Sequence, residues 1–301
     1  MAPPEQRVSV TVGDRSLSLV NLDKVFYPGV GFTKAQVIDY YARIAPVMVT
    51  HVTDRCMTLR RWPNGVEGQS FFNKRCPSPR PSWVEVSIGP GDRNGDIPYC
   101  RLDEPAALVW TANLAAIELH APMARADDIE SPTMAVFDLD PGPPAGMREC
   151  CQVALDLREV LGAVGLEAFP KTSGSKGLQV YLPLNTPHTH DQAAGFARAC
   201  GQLLARQQPE RVLVEMTKSL RAGKVFVDWS QNSRHKTTIA VYSLRALARP
   251  TVSTPVSWDE VAAGAGGEPL SFEAGDVLVR VAELGDLFAP TTTMRQRLPG
   301  A

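Results

Sequence analysis

Between Thr133 and Leu204 the chain alternates between strand and helix patterning, and that alternation limits the fold more than any other feature. The apolar run TMAVFDLD (133–140) meets a Pro-rich turn at 141–144. A helical pattern follows, carried by Val153, Leu157, Leu161 and Val164 and closed by Gly165. LEAFPKT (166–172) and LQVYLPL (178–184) read as strands on either side of SGSKG, and Asp191 caps a further helix through Phe196, Cys200 and Leu204. The same mixture extends outward. Residues 7–12 and 16–20 alternate like a hairpin around Gly13-Asp14. Thr33 caps a helix with Val37, Tyr41, Ile44 and Met48 on one face. Residues 60–100 suggest short strands and loops, with GPGDRNGDIPY (89–99) as a mobile surface loop. Residues 106–113 read as a helix, 116–120 and KVFVDWS (224–230) as strands, and APTTTMRQRLPGA (289–301) as a tail. No repeat or disordered linker interrupts the pattern, so an α/β (α+β) fold in one compact domain of mixed or antiparallel sheets flanked by helices is expected.

Composition excludes some classes. With 301 residues, 44% hydrophobic and 21% charged, there is ample material for a core. The formal net charge of -1 means that any anionic partner must be met by a local basic patch. No stretch approaches the roughly 20 apolar residues of a membrane span, so no membrane partner is expected. The opening MAPPEQRVSV has an acid and no apolar h-region, unlike a signal peptide. Six cysteines (56, 76, 100, 150, 151 and 200) form no Cys-x-x-Cys pair and are read as reduced thiols of a cytoplasmic protein. His188-Thr-His190 is read as a polar loop rather than a zinc site.

Asp138 and Asp140 lie two apart on a strand and project side by side, with Phe137 and Leu139 facing the other way. Neighbouring buried carboxylates raise each other's pKa unless a cation lies between them, and Mg²⁺ or Mn²⁺ held by one or two carboxylates removes the conflict. Taken alone, DLDPG is equally a polar strand end and a turn. Asp228 changes the balance. It is a lone acid in GKVFVDWSQN, sharing a face with Lys224 and Phe226, and its alternative is a pairing with Lys224. Three acids on two strands meet the carboxylate count of a two-metal nucleotidyl-transfer site.

KTSGSKGLQVY combines hydroxyls, glycines and Lys176 in one turn. Its N–H groups can cradle phosphate oxygens. It is not a Walker A loop, because a strand rather than a helix follows; alone it reads as a hairpin turn. Cations gather elsewhere: Lys218, Arg221, Lys224, Arg234, His235, Lys236 and Arg245, and upstream Lys24, Lys34, Arg60, Arg61, Lys74 and Arg75 among Trp62, Phe71 and Phe72. Most single cations are solvated, but basic residues interleaved with aromatics can track a nucleic-acid backbone and stack bases.

FDLDPG, TSGSKGL, TKSLRAGKVFVDWSQN, KTTIA-YSLR and RWPNGV—FF-K together resemble the polymerase domain of bacterial DNA ligase D, in the archaeo-eukaryotic primase superfamily. The resemblance runs from about Asn21 to about Leu287, in the family's order. It implies an RRM-like catalytic core and template-directed addition of ribo- or deoxyribonucleotides to primer 3′ ends in non-homologous end joining. It implies a domain over 1–290, with a DNA-binding part over about 1–105, a catalytic core over about 106–290, and a tail from 291. The metal aspartates map onto Asp138, Asp140 and Asp228, holding two Mn²⁺ or Mg²⁺ ions. His120 in AIELH falls beside the incoming nucleoside triphosphate (NTP or dNTP), with triphosphate contacts from Ser173, Lys176, Gln179, Arg221, Lys224, Gln231 and Arg245. Asn21, Lys24 and Lys34 match the downstream 5′-phosphate site, Phe71 and Phe72 the template-stacking aromatics, and Arg60 and Arg61 the DNA backbone contacts. The implied partners are DNA gaps, overhangs or ends carrying a 5′-phosphate, Ku and a DNA ligase, for a nucleoid-associated monomer that can pair DNA ends as a synaptic dimer. The family's usual SGSKGLH histidine is Gln179 here, expected to reach the triphosphate as a weaker ligand.

Three other readings remain open to the sequence. One is a stand-alone gap-filling or primer-synthesising relative. The second is a non-catalytic end-binding module, which would not need the acid set. The third is a metal phosphoesterase, which would need histidine ligands.

Overall fold

The computed structural model describes residues 7–91 and 95–300. The chain opens with an antiparallel hairpin of β1 (Arg7–Val12) and β2 (Arg15–Val20), then a small ribbon of β3 (Val25–Tyr27) and β4 (Phe32–Thr33). The helix α1 (Lys34–Val52) begins at Thr33, where a reciprocal Thr33–Gln36 capping box satisfies the first turn. It buries Val37, Tyr41, Ile44 and Met48 as the helical period requires. Next come β5 (Thr58–Arg61), β6 (Phe71–Asn73), the hairpin β7 (Val86–Gly89) and β8 (Ile97–Cys100), α2 (Pro105–Asn113) and β9 (Ala116–Ala121).

The second half contains β10 (Met134–Pro141), α3 (Met147–Gly162), β11 (Phe169–Thr172), β12 (Leu178–Pro183), α4 (His190–Gln207), β13 (Val212–Leu213), β14 (Val225–Asp228), β15 (Thr238–Ile239), α5 (Trp258–Gly266), α6 (Ala274–Leu284) and α7 (Pro290–Thr293). Two sheets dominate. One has the order β11-β12-β10-β14-β13 and is antiparallel except for β13 against β14. The other has the order β15-β9-β5-β6 and is antiparallel throughout.

Alternation on the first sheet sets up the site. Ala135, Phe137 and Leu139 of β10, Leu178, Val180 and Leu182 of β12, and Val225 and Val227 of β14 enter one core with α3, α4 and α5. The opposite face joins a second core through Met134, Val136 and Tyr181, shared with α1, α2, β5 and β9. That face changes from apolar to acidic along β10, as Val136 gives way to Asp138 and Asp140.

Several expectations change. The α3 helix stops at Gly162, leaving Val164 half exposed beyond it. Thr189, not Asp191, caps α4, because Thr189 and Gln192 form a reciprocal capping box and Asp191 falls in the first turn. The stretch 89–99 is not all loop, since Ile97–Pro98–Tyr99 belong to β8; 92–94, like 1–6 of the opening segment, lie outside the described residues. Residues 290–300 are not a free tail. The Gln296 amide donates to the carbonyls of Glu167 and Pro183, Asn185 donates to those of Thr291 and Met294, and Leu298 is buried. His188 and His190 are buried as well: His188 accepts from the Leu298 N–H, and His190 lies against the Asn232 and Ile129 carbonyls.

Not all thiols are reduced. Cys76 and Cys100 form a disulfide across Cα atoms 4.8 Å apart. The Cys76 N–H donates to Pro98 on β8, so a fold contact rather than a sequence motif brings the pair together. Cys56, Cys150, Cys151 and Cys200 are free and buried. No helix among the described residues is long and apolar enough to cross a membrane.

Candidate active site

The β10–β14 register sets Asp138 opposite Asp228 and Asp140 opposite Phe226. One ligand oxygen from each acid lies within 4.8 Å of the other two. The turn beyond β10 depends on a bare backbone. A Cβ on Gly142 would fall 1.9 Å from the Arg221 carbonyl oxygen, so only glycine permits the crossing that aligns the two acidic strand ends. Asp138 accepts from the Gln179 amide at 3.0 Å. Asp228 accepts from the Ser230 N–H at 3.0 Å, the Ser230 hydroxyl at 2.5 Å and the Gln231 amide at 2.8 Å. Among the described residues no Lys or Arg is ion-paired to any of the three. Burial, then Asp140 and Asp228, push the Asp138 carboxyl up to about 7, against relief from Gln179 and Lys171. Burial and Asp228 likewise raise Asp140, with Arg221 opposing. Such a cluster of acids, short of positive charge, fits a divalent cation.

The SGSKG turn packs beside the triad. A Cβ on Gly177 would meet the Leu139 carbonyl oxygen at 2.3 Å, so glycine allows the turn to lie against the acidic strand. Ser173 Oγ accepts from the N–H groups of Ser175 and Gly177, and Lys176 is exposed. Arg245 fastens the turn from outside by donating to the Ser173 carbonyl at 3.0 Å.

On the neighbouring sheet a buried acid collects three of the expected residues. Glu118 is 2% exposed. Its Oε1 accepts from Arg245 at 3.1 Å and the Ala246 N–H at 3.2 Å; its Oε2 lies 3.1 Å from His120 Nε2 and 3.5 Å from Arg60. Burial would raise this carboxyl, but the His120 hydrogen bond and Arg245 outweigh it and hold it down at about 2. Burial lowers His120, and Glu118 opposes that shift. Arg60 stacks between Trp62 and Phe72, Arg61 lies over Phe71, and the Phe72 ring meets His120 edge-on at 5.6 Å. Phe71 and Phe72 are exposed on β6, as stacking surfaces must be.

Other expected residues divide. Gln231 meets Asp228, and Arg221 lies 3.9 Å over the Phe226 ring beside Asp140. Lys224 does not pair with Asp228: its ammonium donates to the Pro209 carbonyl at 2.6 Å. Gln179 is not aimed outward at a triphosphate. It is 3% exposed, and its carbonyl accepts from Lys171 at 2.6 Å while its amide faces Asp138. Asn21, Lys24 and Lys34 do come together, because the Lys34 N–H donates to the Lys24 carbonyl and the Lys24 N–H to that of Asn21. Lys24 Nζ donates to Asn64, whereas Lys34 is buried with Nζ on the Val20 carbonyl.

Glu118 and Lys171 were not picked out from the sequence. Both are single charges in apolar strands, the same signal that marks Asp228. Lys171 pairs with Gln179 across β11–β12 and donates to Gln179, Ser253 and the Ile239 carbonyl. Burial lowers its ammonium to about 7, and Asp138 opposes that shift.

The model of the LigD primase-polymerase domain matches residues 33–288. The chain belongs to this family. It is 46% identical over 275 residues to the multifunctional non-homologous end joining protein LigD of Mycolicibacterium smegmatis, covering 90% of this chain and 35% of that protein. The LigD of Pseudomonas aeruginosa is 35% identical over 237 residues, 78% of this chain and 28% of that protein. The chain thus spans about a third of the length of such relatives. A solved structure, the polymerase domain from Mycobacterium tuberculosis ligase D in complex with DNA, superimposes with a TM-score of 0.87 at 41% identity, covering 93% of this chain and 99% of that one. The mixed α/β architecture with antiparallel sheets is therefore that of the LigD polymerase domain.

Proposed function

We propose that this LigD-family domain is a template-directed nucleotidyltransferase that adds ribo- or deoxyribonucleotides to primer 3′ ends at DNA gaps and breaks. The observation that carries this reading is a triad of acids, without an ion-paired cation among the described residues, beside a glycine-rich turn and an exposed aromatic pair. Asp138, Asp140 and Asp228 would hold two Mg²⁺ or Mn²⁺ ions. Bound there, such ions lower the pKa of the attacking 3′-hydroxyl and neutralise charge on the triphosphate. Gln179, Ser230 and Gln231 orient the carboxylates by donating to them. The Lys176 side chain, the Gly174 and Lys176 N–H groups, Arg221 and Arg245 receive the triphosphate, and His120 lies beside the incoming nucleotide. Phe71 and Phe72 stack on template bases, with Arg60 and Arg61 on the backbone. Asn21, Lys24 and Lys34 receive a downstream 5′-phosphate.

The domain extends over 1–290 on this reading, with the DNA-binding part before about 106. Residues 290–300 pack against it. The names of the relatives as non-homologous end joining proteins support a place in end joining; on this reading the partners are Ku and a DNA ligase, in the cytoplasm beside the nucleoid. A non-catalytic end-binding module would leave the acid triad without a use.

The test is extension of a gapped, 5′-phosphorylated duplex with each nucleotide type and Mg²⁺ or Mn²⁺. Template-dependent addition that stops on metal removal is expected. DNA binding without addition under any of these conditions would overturn the assignment.

A further inference from the structure

Resting on that reading, we propose that Cys76 and Cys100 form a reversible oxidation site, which fixes the template-stacking strand β6 as a disulfide and loosens it as two thiols. The bridge joins the segment just after β6 to the last residue of β8. On the proposed reading the domain works in a compartment where thiols are kept reduced. Disulfides found there are characteristically transient, either catalytic or redox-sensing.

The surroundings show what the bond holds. The strand β6 is three residues long, lies at the edge of its sheet and pairs only with β5. Phe71 and Phe72 are 43% and 55% exposed, so they bury little surface that could hold the strand down. Residues 74–85 beyond it carry no helix or strand. Within that segment Cys76 is anchored twice: its N–H donates to the Pro98 carbonyl at 2.8 Å, and its sulfur is bonded to Cys100. Cys100 is itself fixed. It pairs with Val86 of β7, and its carbonyl accepts from the N–H of Met57, the residue immediately before β5. Both ends of the bridge therefore lead back to β5, one through the β5–β6 pairing and the other through Met57. That closed path braces Phe71 over Arg61 and Phe72 over Arg60. Reduction removes one of the two ties at Cys76 and opens the path.

The chemistry balances with a peroxide as oxidant. Cys76 is 9% exposed and Cys100 1%, so the oxidant meets Cys76 first. Hydrogen peroxide converts the Cys76 thiol to a sulfenic acid and releases one water. The Cys100 thiol then attacks that sulfur, forms the S–S bond and expels a second water. A dithiol reverses the step by exchange: it donates two electrons and two protons and itself becomes a disulfide.

The experiment compares wild-type protein treated with hydrogen peroxide or with dithiothreitol, each removed before measurement. The probe is a primer–template whose first unpaired template base is a fluorescent adenine analogue, quenched when it stacks on an aromatic ring. The oxidised protein should quench the probe and bind the DNA about tenfold more tightly than the reduced protein, the contribution of one stacked base. Dithiothreitol should return the oxidised protein to the reduced value, as it would not for a methionine sulfoxide. Cys76→Ser/Cys100→Ser should match the reduced protein under both treatments. Equal quenching and affinity in the two states, quenching in neither, or a redox response that survives in the double variant overturns the proposal. Should that variant unfold, peptide mapping of alkylated wild type provides the second arm. Peroxide should join the peptides carrying Cys76 and Cys100, and dithiothreitol should free both for alkylation; no joined peptide after peroxide overturns the proposal. Extension of the same primer with metal and nucleotide is scored separately. Its failure in both states would defeat the polymerase reading, whereas the ratio between the states decides the role of the bridge.

Discussion

Two acidic sites on different sheets, one buried and one partly buried, solve opposite problems. Glu118 is one carboxylate with two arginines and a histidine around it, and its pKa is held near 2. The triad is three carboxylates whose hydrogen-bond donors among the described residues are two neutral amides, one hydroxyl and one backbone N–H, and Asp138 is pushed up to about 7. The first site is neutralised by the chain itself. It holds Arg245, His120 and Arg60 in place and needs no ligand. The second has an excess of negative charge that a divalent cation is suited to balance. Burial alone does not separate a structural acid from a candidate metal ligand; the charge left unbalanced does.

The largest expected effect breaks the triad. Asp138→Ala, Asp140→Ala or Asp228→Ala should each lower nucleotide addition by roughly 10³-fold or more, since ion-borne charge stabilisation contributes several kcal/mol. Anisotropy should show DNA affinity nearly unchanged, because cations supply it. Retained extension by Asp228→Ala would remove that residue from the metal set.

Glu118→Gln should act differently. With Arg245 and His120 released, nucleotide KM should rise about ten- to a hundredfold, by loss of a charge-assisted contact of roughly 1.5–3 kcal/mol, while metal binding persists. Stability supplies a second readout. The native carboxyl lies near 2 against an ordinary 4.5, so the native state binds fewer protons than the unfolded chain between those values. The stabilisation from Glu118 is complete above about pH 4.5 and is lost as the pH falls toward 2. Acid-induced unfolding followed by circular dichroism should therefore be less steep in Glu118→Gln.

A smaller effect is expected one contact behind the triad. Lys171 has donors and no acceptor, so it must face the Gln179 carbonyl and thereby turn the amide N–H toward Asp138. Lys171→Met should weaken Mn²⁺ affinity about tenfold, in the range of losses beside metal ligands, with nucleotide KM at saturating metal little changed. Smallest is Gln179→His. Had position 179 touched the triphosphate, a histidine would lower nucleotide KM at mildly acid pH. Buried between Lys171 and Asp138, it should instead alter the metal requirement, as read by Mn²⁺ dependence of extension at pH 6 and 8.

Much of this was readable in advance where the pattern is local. The period-2 run at 134–140 fixed the faces of Asp138 and Asp140, and the Thr33 capping signature fixed the start of α1. What depended on partners distant in sequence was not. Glu118 meets Arg245 across 127 residues and Lys171 meets Ser253 across 82. Cys76 finds Cys100 only because the chain returns along β8. Gln179 illustrates the limit: its place beside SGSKG and its face were evident, but the buried lysine on the adjacent strand decides where its amide points. The final segment looked like a tail because its docking contacts, such as Gln296 with Pro183, lie more than 100 residues away.

The contrast between the two acidic sites is tested most directly by calorimetric titration of Mn²⁺ into the wild type, Asp228→Asn and Glu118→Gln at pH 6 and 8. Wild type and Glu118→Gln should bind the ion saturably and more tightly at pH 8, because Asp138 retains its proton up to about 7 and must release it to bind metal. Asp228→Asn should lose most of that heat. Binding that survives in Asp228→Asn but vanishes in Glu118→Gln would contradict the account, because it would place the ion at Glu118 rather than at the triad.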